Sequence, residues 1–303
     1  MSLLNTAILL ILGLLPGHLA ANRHLANLTH TSLTSFTAPA KVAEPAYQPV
    51  VVPIKTGTTT LQLSATSAYA VDLDSGTTLY ALHADTQRPI ASVTKLATAL
   101  VIARQYQDGD IITVPQLPVY QPADEIMGLQ KGERFTVHDL LSALLINSED
   151  DAADALGIAT SGSQAAFAVQ MNRLLSAWGV TEAHFSNPSG LTDAGNGASA
   201  KAVAQIAELA LQNPTIKQLV ATPAATIHDT AGRSFTLTTT DTLLQSDQFQ
   251  GIKTGYTPAA GECFVGLTTI QGHPVMTVVL GSQNRFGDTQ QLADWINQNY
   301  RWQ

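Results

Sequence analysis

The hydrophobic and polar positions change period along the chain, and the changes mark its elements. Ala68–Val71 and Thr77–Ala81 are strand-like segments on either side of Asp74-Ser75-Gly76, a triplet that predicts a hairpin turn. After Arg88-Pro89 a helix is predicted from Ser92 to about Tyr106. Helical patterns follow at Thr136–Ile146, with Thr136 and Asp139 spaced like a capping box, and at about Asp150–Thr160, Ala165–Trp178 and Ala198–Gln212. Thr226–Thr238, Gly251–Tyr256, Cys263–Ile270 and Val275–Gly281 then read as strands, and Asp288–Tyr300 as a closing amphipathic helix.

Strands, helices, strands and a helix in that order indicate an α/β (α+β) fold. An antiparallel sheet built from both chain ends and flanked by helices would enclose an inserted all-helical lobe at about residues 100–225. A cleft between such lobes is a usual place for a small-substrate site. The folded domain is expected over 63–303, with no extra C-terminal domain, after a Thr/Ser/Pro-rich linker over 22–62. Residues 1–21 contain the apolar run Ala7–Leu15 before Pro16, which fits a signal peptide or an N-terminal anchor. No Lys or Arg precedes that run and the small-x-small cleavage pattern is poor, so a buried N-terminal helix is the alternative.

Composition narrows the classes. The chain has 303 residues, 45% hydrophobic and 13% charged, enough to bury a full core. Its net charge of -8, without a basic run, gives nucleic acid no face to bind. Cys263 is the only cysteine, and the eight histidines form no HxH or HExxH pattern, so neither a metal nor another cofactor is expected.

Three short motifs carry chemistry. In Ser92-Val-Thr-Lys95 a helix would put hydroxyl and amine on one face, and a serine needs such an adjacent base to become a nucleophile. Taken alone, an N-cap serine with a solvated lysine explains it as well. Ser148-Glu-Asp150 offers a second hydroxyl for proton relay, or simply a helix cap. Lys253-Thr-Gly255, before the alternating segment Glu262–Ile270, offers a cation and a hydroxyl for a carboxylate, with a glycine that allows close approach. A second copy, Lys55-Thr-Gly57, lies in the Thr-rich linker with no strand pattern after it and reads as coincidence.

In this order the three resemble the motif set of penicillin-binding proteins and class A β-lactamases. Over about residues 65–303 the chain is similar to the low-molecular-mass penicillin-binding proteins that are D-alanyl-D-alanine carboxypeptidases. Arg88–Lys95, Met127-Gly-Leu with Lys131-Gly-Glu, Asn187–Leu191, Gly251–Thr257 with Ala260-Gly261, and Asn284–Asp288 carry the likeness. The resemblance implies a β-lactamase-like fold and a catalytic domain acting outside the cytoplasm. Its substrate would be a peptidoglycan stem ending in D-Ala-D-Ala, with β-lactam antibiotics as inhibitors. It further implies Ser92 as nucleophile, Lys95 as base and Ser148 as proton relay, with Lys253 and Thr254 on the terminal carboxylate. Gly255 would allow the close approach, and the backbone N–H groups of Ser92 and Tyr256 would hold the oxyanion.

Two positions depart from the family pattern. Asp150 stands where the family has Asn, so an ionised side chain there accepts hydrogen bonds but donates none to the substrate. A carboxylate near Lys95 would also favour the ammonium, so Asp150 is expected either to turn away, to be protonated, or to alter the activity. Asp241, before the paired leucines of Asp241-Thr-Leu-Leu244, likewise replaces an Asn, and no additional carboxylate-binding arginine can be placed in this stretch. A D,D-endopeptidase, a class A β-lactamase using Glu182, and a non-catalytic muropeptide or β-lactam binder are the competing functions.

Overall fold

The computed structural model describes residues 50–191, 195–246 and 248–303. The signal or anchor segment and most of the linker lie outside the described residues.

Five antiparallel strands form the central sheet, in the order Phe249–Thr257, Gly261–Ile270, His273–Ser282, Ser67–Asp72 and Thr78–Leu82. The two ends of the chain meet inside it, with Val278 opposite Tyr69 and Ala70 opposite Tyr80. Side chains alternate between the faces. Met276, Val278 and Leu280 enter one core with the helical lobe, while Val275 and Val279 enter a second core with Leu292, Ala293 and Ile296. A strand covered on both faces needs no polar side, which is why this one reads as a nearly unbroken apolar run. The C-terminal helix Arg285–Asn299 covers the second face, and Asn284 caps it by accepting from Gly287 N.

On the other face lies a helix apolar almost all round. Lys95–Ala103 buries every residue from Lys95 to Ile102 and packs against the helices Asp150–Ser161, Gln164–Ala177 and Ala200–Leu211. Burial of each leucine here, such as Leu96 or Leu156, contributes about 1.5–3 kcal/mol. Side-chain caps start the neighbours: Thr136 accepts from Asp139 N, Ser163 from Ala166 N and Ser199 from Ala202 N.

Several local features differ from expectation. The helix at Ser92 is a 3₁₀ turn, Ala91–Thr94, running into α-helix at Lys95 and ending at Ala103. The helix after Thr136 is α only to Ser142 and becomes one π turn, Ala143–Asn147. The inserted lobe is mainly helical but also carries two-stranded ribbons, among them Ala224–His228 with Ser234–Thr238, where one long strand was expected. A helix at Pro214–Val220, capped by Asn213, was not anticipated.

The expected domain boundary at residue 63 falls too late. Pro53–Lys55 pairs with Tyr300–Trp302, Thr56 N and Gly57 N donate to Asn299 O, and Trp295 Nε1 donates to Thr59 O. The partners of this segment lie some 240 positions away, so its own pattern gave no sign of them. Its Lys55-Thr-Gly57 sits there too, with Lys55 over the Trp295 ring, and does not line the main cleft.

Candidate active site

The 3₁₀ turn at Ala91–Thr94 presents the hydroxyl of Ser92. Ala91 has φ 49°, a left-handed backbone conformation that non-glycine residues rarely take. The surroundings hold the turn in that shape. At Gly190 (φ 87°) a Cβ would stand 2.0 Å from Ala91 O, and at Gly255 it would stand 2.7 Å from Ile90 O and 3.0 Å from Ser92 N. Only glycines at these two positions let the Asn187–Leu191 loop and the strand Phe249–Thr257 close on the turn from both sides.

Lys95 lies one turn on, fully buried, and its Nζ donates to Ser92 Oγ at 2.7 Å and to Asp150 Oδ1 at 2.6 Å. The capping explanation of this motif fails, since Ser92 caps no helix and Lys95 is not solvated. Asp150 does not turn away. Its Oδ2 accepts from Glu125 N at 3.2 Å, and its own N–H donates to Glu125 O at 2.6 Å. Burial, opposed by the Lys95 ammonium, pushes its carboxyl above the usual range.

The π turn ends at Ser148, whose φ of 70° turns the chain so that Ser148 and Asp150 both reach the cleft. Ser148 does not cap the helix Asp150–Ser161 either, whose N-cap residue Glu149 makes no side-chain cap. Lys253, also buried, donates to Ser148 Oγ at 2.8 Å and to Thr254 O at 3.2 Å. Burial, reinforced by the nearby Lys95 charge, pushes its amine down to about 7. Thr254 Oγ1 is hydrogen-bonded to Thr240 Oγ1.

These groups meet at a cleft of about 630 Å³. Ser92, Ser148, Asp150, Thr254, Gly255 and Tyr256 line it, while Lys95 and Lys253 reach it from behind through the two serines. All eight expected residues are thus brought together. Arg285 is the residue that motif reasoning missed. It lines the same cleft, donates Nη1 to Gly255 O at 3.0 Å, and its Nε has no protein acceptor. The stretch after Asp241 supplies no such arginine, but Asn284–Asp288, already singled out for its resemblance, does.

The opposite wall is a loop strapped to the start of the helix Asp150–Ser161. Asp151 accepts from the N–H groups of Met127, Gly128 and Leu129, and Asp154 accepts from Tyr120 Oη. Glu182 does not line the cleft; its Oε2 accepts from Ser199 Oγ at 3.3 Å. Among the described residues Asp72, Asp74 and His273 converge as metal ligands would, but Asp72 is taken up by Ser75 and Trp302 Nε1, and Asp74 by His273.

A hydroxyl on a buried amine, a second serine–lysine pair and a cationic corner can bind an acyl compound by its carboxylate and attack it. Comparison with known proteins agrees. The D-alanyl-D-alanine carboxypeptidase family model, peptidase S11, matches residues 54–284. A D-alanyl-D-alanine carboxypeptidase of Streptomyces sp. strain K15 is 33% identical, over 75% of this chain and 84% of its own. A D-alanyl-D-alanine endopeptidase of Escherichia coli is 32% identical over 78% of each chain. Of the carboxypeptidase DacF of Bacillus subtilis, 29% identical, the chain spans 59%. Among solved structures, the Streptomyces K15 DD-transpeptidase superposes with TM-score 0.71 at 28% identity, over 79% of this chain and 99% of that one. The ampicillin-bound penicillin-binding protein D2 of Listeria monocytogenes does so with TM-score 0.68 at 29% identity, over 80% and 100%. The chain belongs to the peptidase S11 family, the D-alanyl-D-alanine carboxypeptidases.

Proposed function

We propose that the protein is a serine-type D-Ala-D-Ala carboxypeptidase that removes the terminal D-alanine from peptidoglycan stem pentapeptides and is acylated by penicillin. The observation that carries this reading is the Ser92 hydroxyl held 2.7 Å from the buried Lys95 amine, in a cleft whose far side holds Lys253, Thr254 and Arg285.

The terminal carboxylate of the stem sits against Thr254 and Arg285, with the Lys253 charge behind them. Ser92 Oγ attacks the carbonyl of the penultimate D-Ala, and its proton passes to the Lys95 amine. The oxyanion takes the N–H groups of Ser92 and Tyr256, whose backbones adjoin because Gly255 packs on the turn. Loss of one such donor costs about 3–4 kcal/mol of barrier. As the C–N bond breaks, Ser148 relays a proton to the departing D-alanine amine. Water then attacks the ester and restores Ser92. A β-lactam follows the same first step, but its leaving nitrogen stays tethered to the acyl group, so the ester persists.

The Asp150 carboxylate beside Lys95 makes the pair, rather than the amine alone, the proton acceptor. This supports a retained activity with altered rate and pH dependence. A second reading, D,D-endopeptidase, is favoured by the likeness to the Escherichia coli endopeptidase, equal in extent to that with the carboxypeptidases. The reaction takes place outside the cytoplasm, where peptidoglycan is, and the N-terminal apolar run would serve for export or anchoring. No helix among the described residues is long and apolar enough to cross a membrane.

Mass spectrometry of a stem pentapeptide and of a crosslinked dimer, with native chain and Ser92→Ala, tests the proposal. Loss of one D-alanine from the pentapeptide by the native chain alone is expected. Cleavage of the dimer with the pentapeptide left intact would select the endopeptidase, and no turnover of either would refute both.

A further inference from the structure

We infer that Tyr120 and Asp154 are positioning residues for the acyl side of the substrate: their hydrogen bond holds the wall Val119–Glu125 against the part of the stem that precedes D-Ala-D-Ala. The inference deepens the carboxypeptidase reading above and rests on it.

Between the strands Ile111–Thr113 and Arg134–Thr136 the chain forms no helix and no further strand, so its course past the cleft depends on anchors. The helix Asp150–Ser161 supplies three of them. Asp150 and Asp151 hold the backbone N–H groups of Glu125 and of Met127, Gly128 and Leu129. Asp154, one turn beyond Asp150 on the same face, accepts from Tyr120 Oη at 2.8 Å. Among the described residues this is the one hydrogen bond that ties residues 115–124 to the rest of the protein; Leu117 adds apolar contact with the core. Asp154 is 0% exposed, and burial pushes its carboxyl up to about 6, so at neutral pH the shielded bond is made to an anion and is a strong one.

What the bond holds is the surface that substrate meets. Tyr120 turns its hydroxyl to the helix, while its two neighbours, Val119 and Gln121, line the cleft. Val119 is 92% exposed, an apolar side chain left almost wholly uncovered in a cleft. With the terminal carboxylate at Thr254 and Arg285 and the scissile carbonyl at Ser92, the preceding residues of the stem run along this wall, and their aliphatic parts cover Val119. Neither Tyr120 nor Asp154 lines the cleft, so both act on substrate only through the wall.

The test compares native chain, Tyr120→Phe, Asp154→Ala and the double variant. Each single variant should raise KM for a stem pentapeptide about tenfold with kcat nearly unchanged. Acylation of Ser92 by 6-aminopenicillanic acid, a β-lactam nucleus without an acyl side chain, should stay within about twofold of native. The double variant should be no worse than the poorer single one, because both remove the same bond. Tyr120→Phe keeps the ring and should unfold near the native midpoint, so it carries the test if Asp154→Ala does not fold. A native KM in Tyr120→Phe, an equal loss on pentapeptide and β-lactam nucleus, or additive effects in the double variant would each overturn the inference. A native chain that neither cleaves peptide nor takes up penicillin refutes the carboxypeptidase reading, and the inference with it.

Discussion

Asp150→Asn removes a charge and almost nothing else. In the native chain the Lys95 amine lies 2.6 Å from Asp150 Oδ1 and 2.7 Å from the hydroxyl it must deprotonate. Two effects oppose each other at that amine, since burial disfavours an ammonium and the carboxylate favours one. The attraction at this separation is about 6 kcal/mol at an effective dielectric of about 20. Taking two charges out of water returns several kcal/mol of that. With Asn in place the Lys95 nitrogen loses its ion-pair partner and is free to take the Ser92 proton. A net gain of about 1.4–2.8 kcal/mol in that transfer corresponds to a ten- to hundredfold faster step.

The assay is stopped-flow acylation by a fluorescent penicillin, from mildly acidic to mildly alkaline pH. Asp150→Asn should acylate about ten- to hundredfold faster near neutrality. The Asn amide also regains a donor for the substrate backbone, so peptide hydrolysis should rise with acylation. A correctly folded variant whose acylation profile superimposes on the native one would refute the reasoning, because the Asp150 charge would then have no hold on the base.

Gly255→Ala should cut acylation at least a hundredfold and cost about 1–3 kcal/mol of stability, because a Cβ 2.7 Å from Ile90 O displaces the turn that carries Ser92; penicillin labelling beside an unfolding curve checks both. Arg285→Gln should raise KM for a carboxylate-terminated peptide about tenfold and leave an amidated one unchanged, as loss of a charge-assisted hydrogen bond implies. Glu149 is buried, and burial pushes its carboxyl from 4.5 to about 7, so the folded chain holds a proton there that the unfolded chain releases. That contribution is greatest below the window and is lost as pH rises through it, about 2–3 kcal/mol in all. Urea unfolding should show this limb in the native chain and a flatter one in Glu149→Gln.

The parts of the fold that were legible were those whose cause is local. Thr136 announces a helix start by what its side chain does to the Asp139 N–H, and Asp74-Ser75-Gly76 announces a turn, whereas the last helix, expected from Asp288, starts three residues earlier after the cap Asn284. The strand at Pro53–Lys55 was not legible because it is defined by residues 300–302, and the π turn was not because nothing in Ala143–Asn147 distinguishes it from α-helix. The same division runs through the site. Its motifs gave the groups that converge, since each is a short segment with a fixed local shape, but Arg285 arrives from the far end of the sheet and only the fold reveals its direction.

Charge behaves differently from both. Asp150 and Asp241 were visible as departures from the family's pattern, yet their consequences depended on what each carboxylate faces. The first lies on the base at 2.6 Å with both oxygens bonded, whereas the second is buried at the start of the turn Thr242–Gln245 and accepts from Leu243 N. A buried carboxylate is tolerable only where cations or N–H groups answer it, and Asp150 is answered by Lys95 and Glu125 N, Asp241 by Leu243 N. Asp150 therefore acts on the base by direct contact, while Asp241 is held by the backbone of the turn it caps. Asp150→Asn should change acylation, whereas Asp241→Asn, which keeps the capping oxygen, should leave it as it is. A double variant that acylated no faster than Asp241→Asn alone would show that the Asp150 carboxylate does not restrain Lys95.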